Sequence, residues 1–137
     1  MTKEKGILGI DYGETNIGLA FGRAGEVLPL KIISGKNPHT AISVIGRTII
    51  EYDAKTIIVG LPLTMENKET PKSLKVRRFV KLLKVKIKKP VVFVNEHSTS
   101  KDATKIMLSM GVSQKRRRLK DHYSAALILK KYYREKE

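Results

Sequence analysis

The chain has 137 residues, of which 41% are hydrophobic, enough for one domain that buries roughly two-thirds of its unfolded surface. No apolar run approaches the roughly 20 residues of a membrane helix, and the Met1–Lys5 start lacks a long apolar secretory segment. There is no cysteine, which excludes disulfides and thiolate metal sites, so a cytoplasmic protein without a membrane partner is expected. Lys and Arg number 28 against 13 Asp and Glu, and a formal net charge of +15 points to a polyanionic partner.

From the N-terminus, Gly6–Ile10 is a short apolar run ending in Asp11-Tyr12-Gly13, the pattern of a buried strand closing in a turn. Ile17 to Arg23 and Glu26 to Ile33 read as two further strands joined in a hairpin at Ala24-Gly25. Asn37-Pro38-His39 breaks the chain, and Ile42, Ile45, Ile49 and Tyr52 then recur at helical spacing. Thr56–Val59 is a β-branched run that Gly60 and Pro62 stop. After a polar stretch from Met65 to Thr70, the residues Val76, Phe79, Val80 and Leu83 mark a helix with an apolar stripe and a cationic back. Nine basic residues and no acid lie between Pro71 and Lys89. Val91–Val94 is the last strong strand. Ala103, Ile106, Met107 and Met110 form another helical stripe that Gly111 ends, Ser113 to Lys120 is an irregular connection, and Ala125, Ile128, Leu129 and Tyr132 mark a terminal helix. The order βββ-α-β-α-β-α-α predicts an α/β fold in a single domain over residues 1–137. Its mixed five-stranded sheet, a three-strand meander plus two parallel strands, has helices on both faces.

Asp11 follows the first strand and Glu96 the fifth. Right-handed crossovers make the first, fourth and fifth strands parallel, so both acids reach the sheet edge where α/β folds place ligands. Asp121, at the start of the last helix, would bring a third carboxylate to that rim. Carboxylates at close quarters repel one another and take up protons, a conflict that a divalent cation removes. Hard oxygen donors suit Mg2+ or Mn2+, and two such ions about 4 Å apart promote phosphodiester cleavage. Each acid also has an ordinary role: Asp11 in a turn, Glu96 on the surface, Asp121 as a cap or first-turn acid. The cations Lys72, Lys75, Arg77 and Arg78, and the block Lys115-Arg116-Arg117-Arg118, would hold a phosphate backbone beside the ions. His97 and His122 each adjoin one of the acids, and Gly13 lies just past Asp11. All three are candidates to support the site from behind.

Gly9-Ile10-Asp11-Tyr12-Gly13 with Ile17-Gly18-Leu19-Ala20, then Gly60-Leu61-Pro62-Leu63, Arg78-Phe79, Val94-Asn95-Glu96 with Ser98-Thr99-Ser100, and Asp121 to Leu129 follow one another along nearly the whole chain. In this order they resemble the motifs of the YqgF family, also called RuvX or Holliday-junction-resolvase-like. The resemblance implies a ribonuclease H-like fold and an acidic triad at Asp11, Glu96 and Asp121. It further implies a nuclease that matures the 5′ end of precursor 16S rRNA or resolves four-way DNA junctions. Structured RNA, in precursor ribosomal particles, is the favoured partner. Junction resolution calls for paired active sites and hence a homodimer, so the chain is expected as a monomer or a homodimer. Two other readings stand beside it. Asp11-Tyr12-Gly13-Glu14-Thr15 also looks like the first phosphate loop of the sugar kinase and actin ATPases, and a non-catalytic nucleic-acid-binding module would carry the same charge.

Overall fold

The computed structural model describes residues 5–96 and 120–136, with 120–122 described by backbone alone. Among these residues eight elements follow in chain order: β1 (Gly6–Asp11), β2 (Asn16–Arg23), β3 (Glu26–Ser34), α1 (Pro38–Tyr52), β4 (Ala54–Leu61), α2 (Pro71–Lys86), β5 (Val91–Asn95) and α3 (Lys120–Lys136). The predicted helix over Ala103–Met110 and the connection from Ser113 lie outside the described residues. The strand order is β3-β2-β1-β4-β5. β1–β2 and β2–β3 are antiparallel, while β1–β4 and β4–β5 are parallel. This is the expected meander extended by two crossovers.

Local chemistry explains the connections. Ala24 (φ 53°) and Gly25 (φ 82°) both take left-handed conformations, so the two-residue hairpin turn has the twist that matches its strands. Pro29 lies in β3, an edge strand, beside a register shift at Leu19/Ala20, where its missing N–H costs no ladder bond in the sheet interior. Asn37 does more than break the chain: its side chain accepts from the N–H groups of His39 (3.0 Å) and Thr40 (3.2 Å), and Pro38 opens α1.

Alternation along the strands sorts the core into two layers. Leu8, Ile10, Ile57, Val59 and Leu61 pack with Ile42, Ile45 and Ile49 of α1 and with Val76, Phe79, Val80 and Leu83 of α2. On the other face, Ile7, Ala20, Ile58 and Val94 pack under Ala125, Ala126, Ile128 and Leu129 of α3. A Cβ at Gly9 would lie 2.6 Å from Leu129 Cγ and 3.0 Å from the Ala125 carbonyl oxygen, so α3 rests directly on the backbone of β1. Gly60 departs from its sequence reading. It does not stop β4, which runs through it to Leu61 and pairs Gly60 with Val94. In a buried central strand the ladder and the flanking core override the breaker tendency of glycine.

Candidate active site

Because β1, β4 and β5 run in one direction, their C-terminal ends form one rim. On β1, Ile7 and Gly9 face α3, and the period of two carries Asp11 to the same face. Val94 on β5 does likewise and is followed at that face by Glu96, whose N–H donates to the Leu61 carbonyl at 3.2 Å. The Glu96 carboxyl end lies back over Gly60. Two acids 85 positions apart in the chain (96 − 11) thus meet at this rim, over the end of β4.

Their electrostatics follow from that meeting. Burial, and next the charge of Asp11, push the Glu96 carboxyl up to about 8; the ammonium groups of Lys131 and Lys72 act in the opposite sense, and a hydrogen bond with Asp11 adds to the rise. These causes favour the protonated form of Glu96, hydrogen-bonded to Asp11. A desolvated pair of carboxyls with only oxygen donors fits a hard divalent cation, which would take the place of that proton. Among the described residues no group of three or more acids or histidines forms a metal cage. Asp121 and His122 belong to the first turn of α3, but their side chains lie outside the described residues. So do His97 and the whole Lys115-Arg116-Arg117-Arg118 block.

Of the sequence candidates, the structure brings Asp11, Glu96 and Lys72 together. Gly13 stands close by: a Cβ there would lie 2.6 Å from the Asn16 carbonyl oxygen, so glycine permits the tight passage from β1 to β2. The remaining cations of α2 are not equivalent. Lys75 bonds Glu14 at 2.5 Å, holding that carboxyl below its usual range. Arg78 acts electrostatically on Tyr12 and Glu14, and the Tyr12 ring stacks on Phe79 with centroids 4.6 Å apart. Arg77 points elsewhere. Its guanidinium grips Glu69 through Nε and Nη2, both at 2.8 Å, and lies 5.2 Å from the centre of the Phe93 ring.

One residue escaped the sequence reading. Lys131 Nζ donates to the Asn95 carbonyl at 2.5 Å, while Asn95 Nδ2 donates to Asn67 Oδ1 at 2.9 Å. The residue that precedes Glu96 is thereby tied to α3 and to the loop before α2. The available signal was spacing: Lys131 continues the stripe of Ser124 and Ile128 at i+7 and i+3, a cation ending a buried face.

Comparisons with known proteins bear on the fold and the family. The model of the family described as "RuvX: Holliday junction resolvase" matches residues 5–135. A relative from Chloroflexus aggregans named "Putative pre-16S rRNA nuclease" is 35% identical, covering 94% of this chain and 93% of its own. A relative of the same name from Dictyoglomus thermophilum is 33% identical, covering 92% and 93%. Among solved structures, RuvC of Thermus thermophilus in complex with Holliday junction substrate superposes with a TM-score of 0.61 at 15% identity, covering 96% of each chain. The Fowlpox virus resolvase, in complex with Holliday junction DNA, gives 0.55 at 12% identity, covering 93% of this chain and 98% of that one. The fold is ribonuclease H-like, and no described helix is long and apolar enough to cross a membrane. By the family match along nearly its whole length and by these relatives, the chain belongs to the RuvX, or Holliday junction resolvase, family of nucleases.

Proposed function

We propose that residues 1–137 form a single divalent-metal-dependent endonuclease unit that processes the 5′ end of precursor 16S rRNA in the cytoplasm, on free RNA or within precursor ribosomal particles. The observation that carries the reading is the Asp11–Glu96 carboxyl pair, held at the C-terminal rim and flanked by Lys72 and Lys131. The direction of α3 supports Asp121 as the third acid. Ala125 and Leu129 lie over Gly9, and Tyr133 over Gly22, which is level with Ile7. The helix therefore descends away from the rim, and its first turn is the part nearest Asp11. The name of the relatives supports the RNA substrate.

Magnesium or manganese, as a pair of ions held by Asp11, Glu96 and Asp121, would supply an activated water and stabilise the leaving oxygen. The remaining work falls to the chain. Asp11 and Glu96 would hold the cation in place of the proton that Glu96 keeps without it. Lys75 and Arg78 act on Tyr12 and Lys72 on Glu96, so these cations draw the phosphate backbone toward the rim, with the Lys115–Arg118 block adding charge. His97 and His122 are in sequence reach to orient the acids beside them.

The second reading is resolution of four-way DNA junctions by a homodimer, favoured by the description of the family. One experiment separates the readings: wild type and Asp11→Asn, with Mg2+ or Mn2+, on a pre-rRNA 5′ leader and on a synthetic four-way junction. Metal-dependent cleavage of the leader by wild type, and undiminished binding without cleavage by Asp11→Asn, is the expected result. Symmetric paired nicks in the junction with the RNA left intact would favour the second reading. Binding by both proteins with cleavage by neither would leave a non-catalytic binding module.

A further inference from the structure

We infer that Gly60 is a positioning residue of the active site, whose missing side chain leaves the space in which the Asp11 and Glu96 carboxyls meet. The inference rests on the reading of that pair as a cation site. β4 lies between the two strands that carry the acids. Its parallel register with β1 pairs Val59 with Ile10, which sets Gly60 level with Asp11, and its register with β5 pairs Gly60 with Val94, two residues before Glu96. Ile58 faces α3, so by alternation a side chain at position 60 would face α3 as well, between the two acids.

A Cβ there would lie 2.7 Å from both Cδ and Oε2 of Glu96 and 2.5 Å from Cδ1 of Ile128. Conformation does not demand glycine at this point. Gly25 alone among the described glycines has a positive φ, and Gly60 lies in extended β4 backbone that any residue can adopt. The requirement is for space. Gly9 and Gly22 also lie beneath α3, but the atoms nearest to their absent Cβ atoms belong to helix side chains, helix backbone and Ile7. Gly60 is distinguished by the carboxyl that occupies its space.

The two clashes at position 60 resolve differently. Ile128 is buried at 1% exposure within a packed helix, so its methyl cannot move cheaply. The Glu96 carboxyl is the end of a flexible side chain and would swing off Asp11 with little loss of packing. Ile128→Val removes the obstructing Cδ1 methyl and nothing else, which separates a packing role from a positioning role.

The test compares wild type, Ile128→Val, Gly60→Ala and the double variant Gly60→Ala/Ile128→Val by thermal melting, by calorimetric Mn2+ titration, and by kcat and KM on the cleaved nucleic acid. Gly60→Ala alone is expected to melt earlier. The double variant is expected to melt close to Ile128→Val yet to bind Mn2+ about tenfold or more weakly, the scale of loss for residues that orient metal ligands. Its kcat should fall while KM stays unchanged. Mn2+ binding by the double variant equal to that of Ile128→Val would overturn the inference alone. Wild-type protein that takes up no Mn2+ would overturn the cation reading and this inference together.

Discussion

Glu96 sits where burial and the neighbouring Asp11 charge both favour its protonated form, with its carboxyl raised from 4.5 to about 8. The sign of the resulting pH dependence follows from proton counting. Between those two values the folded chain holds a proton that the unfolded chain has lost, so without metal the stability due to this group is complete below the unfolded value and is lost as pH rises through about 8. In EDTA the melting temperature is expected to decline across that window, and Glu96→Gln, which cannot ionise, should flatten the decline. Added Mn2+ competes with the proton, so it should raise the melting temperature more near pH 8 than near pH 6. Differential scanning fluorimetry across the range checks both statements; a wild-type profile indistinguishable from Glu96→Gln would remove the proposed protonation of Glu96.

At the scale of the element, α2 carries cations along its length and is held at its N-terminus by a short polar network. Thr70 Oγ1 accepts from the Ser73 N–H at 2.9 Å and donates to the Pro62 carbonyl at 2.7 Å, and Ser73 Oγ accepts from the Thr70 N–H at 2.7 Å. This capping box joins the helix to the chain leaving β4. Thr70→Ala removes the cap and strips the Pro62 carbonyl of its donor, and should cost about 1–2 kcal/mol of stability in urea unfolding. Because the same helix presents Lys72 to Glu96, its activity should fall along with its stability. A variant as stable as wild type would show the network to be dispensable.

For the whole molecule the governing quantity is charge. With a net charge of +15, nucleic-acid affinity should fall linearly on a log-log plot with salt, by about 0.7–0.9 in slope for each phosphate neutralised. The α2 cations should not contribute equally. Arg77 is already committed to Glu69 and Phe93, so Arg77→Ala should change the slope less than Lys72→Ala or Arg78→Ala does. Fluorescence anisotropy at several salt concentrations measures this directly. Equal slope changes for all three would mean that the Glu69 pair opens on binding.

Much of the molecule was legible from pattern alone. The apolar runs Gly6–Ile10 and Val91–Val94, helical spacing in α1, α2 and α3, and the Ala24-Gly25 turn each depend on residues close in sequence, so the strands, the described helices and the mixed sheet could be read without coordinates. Asp11 and Glu96 were legible as strand-end acids for the same reason, since parallel crossovers leave few places for such residues to go. That such acids repel and take up protons was legible too; that Glu96 is the one driven upward was not, because that depends on a distance across two strands and on the burial that α3 provides. Gly60 read as a strand breaker because local propensity has no knowledge of the carboxyl that fills its space. Arg77 read as one more free cation because Glu69, eight residues earlier and outside α2, meets it only through the turn of the chain into the helix. Lys131 drew no reading at all because its acceptor, the Asn95 carbonyl, is 36 residues away. Local order was written in the spacing of side chains; the pairing of charges was decided by which strands and helices lie side by side.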